Sequence, residues 1–150
     1  MRNLRKAVDL SPSYSPAHNL LGYVLRYLGR YEEAAAEFQR YIRLIPDEPN
    51  PYDSYAELLM KMGRFRESID SYAKALDIDP NFAPSYIGQG NNYIFLDRPD
   101  EARKCFAKLA FIARDDGERR RAIAWTAASY VHEGNHVGAL AAMAKAMAIA

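Results

Sequence analysis

The chain has 150 residues, 49% of them hydrophobic, enough for one compact domain or a short repeat array. Lys and Arg number 20 against 19 Asp and Glu, a formal balance of +1 that offers no basic surface for nucleic acid. A single cysteine, Cys105, excludes an internal disulfide framework and argues against a cysteine-based metal site. In chain order, residues 1–14 carry Leu4 and Ala7 ahead of Pro12, the pattern of a closing helix without its opening partner. Ser15 to Leu28 reads as a helix with Leu21, Leu25 and Leu28 on one face at i, i+4 and i+7. Gly29 stands just past its end, where a left-handed residue is common and glycine adopts that conformation without strain. Tyr31 to Leu44 reads as a second helix with Ala34, Phe38 and Tyr41 on one face. Small Gly22 and Ala34 let the two helices approach, and Phe38 fills the space beside them. Pro46 ends the second helix, because it lacks the N–H donor and disfavours the helical region at Ile45.

The same order then recurs. Pro12, Pro46 and Pro80 stand 34 residues apart. Small residues recur at Gly22, Ala56 and Gly90, and large apolar ones at Leu28, Met62 and Leu96. Arg30, Arg64 and Arg98 keep the step, as do Glu33, Glu67 and Glu101 and the aromatics Phe38, Tyr72 and Phe106. Residues 15–48, 49–82 and 83–116 therefore read as three successive units. The fourth, 117–150, drifts: Arg114 stands where proline is expected, and Arg114-Asp115-Asp116-Gly117 reads as an elongated loop. Its final run, Ala139 to Ala150, is almost wholly apolar and would leave a stripe exposed to water.

This pattern resembles the tetratricopeptide repeat, whose signature is a large residue, Leu-Gly, Tyr or Leu, Ala, an aromatic, Ala and Pro. The first unit matches it with His18, Leu21-Gly22, Leu25, Ala34, Phe38 and Pro46, with Tyr41 at the second Ala column. The second matches with Tyr52, Tyr55-Ala56, Leu59, Ser68, Tyr72, Ala75 and Pro80. The third matches with Tyr86, Gln89-Gly90, Tyr93, Ala102 and Phe106, with Leu109 replacing Ala. The two bulky replacements, Tyr41 and Leu109, predict wider helix spacing at those points. An insertion of about three residues restores the fourth unit, bringing Ile123, Ala127, Tyr130, Gly134, Ala139, Met143 and Ala146 into the family columns. The resemblance implies an all-α superhelix (solenoid) of antiparallel helix pairs, about nine helices in a single array over 1–150 with 1–14 as a leading half-unit.

The family presents helix-A residues on a concave surface. By resemblance the first unit offers Asn19, Tyr23, Arg26 and Tyr27, and the second Asn50, Asp53, Glu57, Met60 and Lys61. The third offers Ile87, Asn91, Ile94 and Phe95, and the fourth Arg121, Ala128, Val131 and His132 with Trp125 adjacent. Aromatics and Asn of this kind suit hot spots and adaptable polar contacts. Tyr52, Tyr55, Tyr72, Tyr86 and Phe106 read instead as core, and Trp125 has the alternative of filling a widened joint. The basic set with which some family members clamp chaperone C-termini is missing: Asn19, Tyr23, Ser54, Pro84 and Gly88 occupy its columns, and Asp53 and Glu57 would repel a carboxylate.

Other chemistry finds no support. Phosphate-binding, nucleophile-elbow and zincin motifs are missing, so no enzyme activity and no cofactor are expected. His18, His132 and His136 are scattered and Cys105 has no histidine partner, so neither a metal site nor a nucleophile is expected. The mixed run from Arg114 to Arg121 reads as a solvated loop and helix start, its Arg cluster a weaker candidate for an acidic partner. No apolar run approaches the ~20 residues of a membrane span, and the start lacks a secretory stretch, which favours the cytoplasm. Two functional readings stand. One is a scaffold or adaptor that binds a protein or peptide in its groove. The other is a structural, oligomerising or regulatory segment of a larger protein, its final apolar stripe either covered by a further helix of a longer chain or self-associating through Leu140, Met143 and Met147 to give a homodimer.

Overall fold

Prolines and left-handed residues set the rhythm of the backbone. A computed structural model describes residues 2–149, which form nine α-helices and no strand among the described residues. They are α1 (Arg2–Leu10), α2 (Ser15–Tyr27), α3 (Tyr31–Leu44), α4 (Pro49–Lys61), α5 (Phe65–Ile78), α6 (Ala83–Phe95), α7 (Pro99–Ile112), α8 (Asp116–His132) and α9 (His136–Met147). Proline occupies the first turn of α2, α4, α6 and α7, where its missing N–H has no intrahelical partner to lose.

Helix A of each pair ends the same way. Gly29, Gly63, Asp97 and Gly134 all have positive φ. The next N–H bonds back five residues, Arg30 to Leu25, Arg64 to Leu59, Arg98 to Tyr93 and Asn135 to Tyr130, all within 2.9 Å. This is the Schellman closure, and it turns the chain sharply into helix B. The repeated Arg–Glu columns act just after that turn. Arg30, Arg64 and Arg98 stand at the N-caps of α3, α5 and α7 and fork onto Glu33, Glu67 and Glu101 in the first turn.

The packing divides the chain into two compact units, Met1–Pro80 and Asn81–Ala150. In the first, α1 packs on α2, α2 on α3, α3 on α4 and α4 on α5. Its core joins Val8, Leu21, Leu25, Ala34, Phe38 and Leu58. Tyr41, in place of the usual alanine, is buried, and its hydroxyl accepts a hydrogen bond from Asn50 of α4 at 3.0 Å. In the second unit, α6 packs on α7, α7 on α8 and α8 on α9. Phe106, Ala102 and Ala122 are fully enclosed there, and Ile123, Ala127, Ala142 and Ala146 join α8 to α9.

One expectation is corrected. Residues 114–117 are not an elongated loop. Asp116 and Gly117 already belong to α8, which runs for 17 residues where α2, α4 and α6 have 13. The Asp115 carboxylate accepts the Glu118 N–H at 2.7 Å, and the acids Asp116 and Glu118 sit in the positive first turn. The extra residues are wound into helix, because a cap and an acidic first turn outweigh the glycine.

Candidate functional site

In the first unit, the helix-A face is built by α2 and α4. The Tyr23 hydroxyl donates to Ser54 Oγ at 3.1 Å, and its ring meets Phe38 edge-on with centroids 5.2 Å apart. Arg26 lies over the Tyr23 ring at 4.9 Å and donates to Glu57 at 2.9 Å. Burial, with Glu57 and Asp53 nearby, pushes the Tyr23 hydroxyl up to about 12 despite its bond to Ser54. Burial and the same two carboxylates push Tyr72 up as well. Asp53 is only 6% exposed. The predicted groove residues of this unit thus separate into two kinds. Tyr23 and Arg26 knit α2 to α4 through Ser54 and Glu57, with Asp53 buried on α4, so the Tyr23 aromatic has a packing role that the repeat pattern did not require. Tyr27, 90% exposed, and Lys61, also exposed, project into solvent. Asn19 is half-buried, and its Oδ1 is enclosed without a hydrogen-bond partner.

In the second unit, Ile87, Asn91, Ile94 and Phe95 of α6 share one face at i, i+4, i+7 and i+8. Phe95 is 60% exposed, and the other three are half-buried. Behind them, Asn92 turns inward and donates to the Gly88 carbonyl at 3.0 Å. Trp125 of α8 is half-buried and stacks on Phe106 with centroids 5.9 Å apart. Ile87 and Trp125 line a cavity of about 240 Å³, together with Leu109 and Ile112 of α7. Sequence reasoning did not assign this cavity. Leu109 and residues from the lengthened start of α8 line it, and those two departures from the repeat were its only signal in the sequence.

The remaining polar residues have structural duties. His18 is 1% exposed, with Nδ1 2.6 Å from Glu37 and Nε2 2.9 Å from the Pro12 carbonyl. Cys105 is buried, which pushes its thiol up to about 11, and its Sγ lies 3.4 Å from the Gln89 side-chain oxygen. Among the described residues no group of three or more His, Cys, Asp and Glu could hold a metal ion, and no helix is long and apolar enough to cross a membrane. On α9, Leu140 is 72%, Met143 44% and Met147 80% exposed, so the apolar stripe predicted there is open.

These features define a helical-repeat protein whose helix-A faces carry the variable side chains. Two family profiles, both described as tetratricopeptide repeat, match residues 15–48 and 59–125, and the chain belongs to that family. Among curated proteins it is 31% identical over 99 residues to human protein O-mannosyl-transferase TMTC3, covering 65% of this chain and 11% of that one. It is 30% identical over 103 residues to the human cell division cycle protein 16 homolog, covering 62% and 16%. The chain therefore spans a small part of the length of these relatives. Among solved structures, MamA superposes with a TM-score of 0.79 at 18% identity over 97% of this chain and 84% of that one. YrrB, described as a TPR protein with an unusual peptide-binding site, superposes with a TM-score of 0.70 at 21% identity over 97% and 74%. The fold is the all-α solenoid of these proteins, and the chain is a protein-interaction repeat module.

Proposed function

We propose that the chain is a non-catalytic scaffold or adaptor that captures a segment of a partner protein along its helix-A faces. The observation that carries this is the placement of Tyr27 and Phe95. Both stand at the end of a helix A, two repeats apart, and both put an aromatic ring into water. At interfaces, exposed aromatics are among the residues that dominate binding energy. The near-neutral charge favours a protein partner over nucleic acid. The repeat division at 1–14, 15–48, 49–82, 83–116 and 117–150 is part of the same reading.

The test is capture of partner proteins from the source cell by wild type and by Tyr27→Ala with Phe95→Ala. Loss of specific proteins at unchanged helicity and melting temperature supports the groove. Recovery of the same proteins at the same yield defeats it. A second reading, self-association through α9, is favoured by the exposure of Leu140, Met143 and Met147.

A further inference from the structure

We infer that the cavity at the α7–α8 joint is a side-chain pocket for an acidic residue followed by a large apolar one in a partner segment. Its floor is apolar: Ile87, Leu109, Ile112 and the Trp125 indole. Its rim is cationic, with Arg114 and Arg121 both lining it. The neighbouring arginines are committed elsewhere. Arg119 pairs with Asp116 at 2.8 Å, and Arg120 donates to the Ile149 carbonyl at 3.1 Å. Among the described residues the Arg114 and Arg121 guanidinium groups make neither an ion pair nor a hydrogen bond. The one carboxylate on the rim, Glu118, already accepts the Arg114 backbone N–H at 2.8 Å. The nearby Asp115 carboxylate caps α8. Two positive charges therefore line the cavity beside one engaged negative charge and a set of apolar side chains. A guanidinium presents a fork of donors that matches a carboxylate, and the apolar lining accepts the adjoining apolar side chain.

The occupant is a side-chain carboxylate within a segment rather than a chain end. Ile87 and Trp125 belong both to the cavity and to the helix-A faces, and Asn91, Ile94 and Phe95 continue the α6 face beyond it. A segment lying along that face passes the pocket and continues. This rests on the capture of a partner segment proposed above, but it names a different set of residues.

Trp125 is the chain's one tryptophan and lines the pocket, so its emission reports on this site. The probes are synthetic hexapeptides, acetylated and amidated: Ser-Gly-Asp-Leu-Gly-Ser, the same with Asn for Asp, and the same with Ser for Leu. The Asp-Leu peptide should shift Trp125 emission saturably, and each altered peptide should bind at least tenfold more weakly. Arg114→Gln with Arg121→Gln should lose the same factor, with unchanged far-ultraviolet circular dichroism. Equal binding of all three peptides, or a flat response up to about 1 mM, overturns the assignment. Tighter binding of a free-acid Ser-Gly-Gly-Leu than of the Asp-Leu peptide overturns the choice of a side-chain carboxylate. If partner capture depends on Tyr27 and Phe95 while the peptides give no signal, the pocket falls and the scaffold reading stands. A peptide signal without partner capture is the reverse.

Discussion

Two glycines are held by what lies opposite them. A Cβ built on Gly22 falls 2.7 Å from the Phe38 ring, and one on Gly90 collides with Phe106. Both rings are fully buried, so neither can swing aside into water. Gly90→Ala should cost about 1–3 kcal/mol, the range for overpacking a filled core, and Gly22→Ala a similar amount. The measure is the urea midpoint at unchanged slope; an unshifted midpoint would show that the ring can slide. In the second repeat the same column holds Ala56 with Tyr72 on the facing helix, so the column demands smallness and not glycine as such. The tyrosines of the first unit make a second prediction. Tyr23 is raised from 10.0 to about 12, first by burial, and Tyr72 is raised in the same direction. A phenol with a raised folded pKa keeps its proton in the native state after the unfolded chain has lost it. For Tyr23 that contribution is therefore fully present below pH 10 and is lost as pH rises through the window from 10 to 12, and Tyr72 acts in the same direction. Unfolding midpoints should fall across that window, and Tyr23→Phe should flatten the fall. The burial behind these shifts was hidden in the sequence. Asp53 and Tyr23 read as groove residues because the family resemblance places their helix-A positions on the concave surface, and only the meeting of α2 with α4 encloses them.

Most helices here start without a side-chain cap. Helices α2 to α7 show none, and Pro or the Arg–Glu fork occupies their first turns instead. Helix α8 is different, because Asp115 closes it onto the Glu118 N–H. Asp115→Ala should cost about 1 kcal/mol and speed amide exchange in the first turn of α8. By contrast, Arg64→Ala should leave the urea midpoint essentially unchanged, since the pair it breaks with Glu67 is solvent-exposed, local and screened by water. Equal losses in the two variants would contradict this account. The element scale is also where the sequence was most readable. Helix ends were marked by Pro12, Pro46 and Pro80 and by Gly29, residues whose backbone limits act locally. The start of α8 was misread because Asp-Asp-Gly is turn chemistry in isolation. Its capping role needs the following acid and the buried Ala122 and Ile123 to hold the helix in place.

At the scale of the whole molecule, repeats are stabilised by their neighbours, and an end helix has only one. The period of 34 made the helix pairing legible without coordinates. What covers the last helix was not legible, because an apolar stripe reads the same whether it meets solvent or another chain. In the structure α9 packs on α8 through small side chains, Ala139, Ala142 and Ala146, while Val137, Leu140 and Met147 point into water. Alanine side chains bury little area each, so each of these three contributes only a small apolar term to the α8–α9 seam. Two outcomes follow from one cause. At high dilution α9 should exchange its amide protons faster than α8, since opening it exposes little new apolar surface. If the open face pairs two copies, that exchange should slow as protein concentration rises, and sedimentation velocity should show a dimer over the same range. Met143→Glu with Met147→Glu should abolish both the dimer and the slowing. It should leave the exchange of α6 and α7 unchanged, because neither side chain belongs to the α8–α9 core. Exchange in α9 that stays the same across a hundredfold concentration range, with a single monomer boundary in sedimentation, would remove self-association from consideration and leave the helix-A faces as the chain's interaction surface.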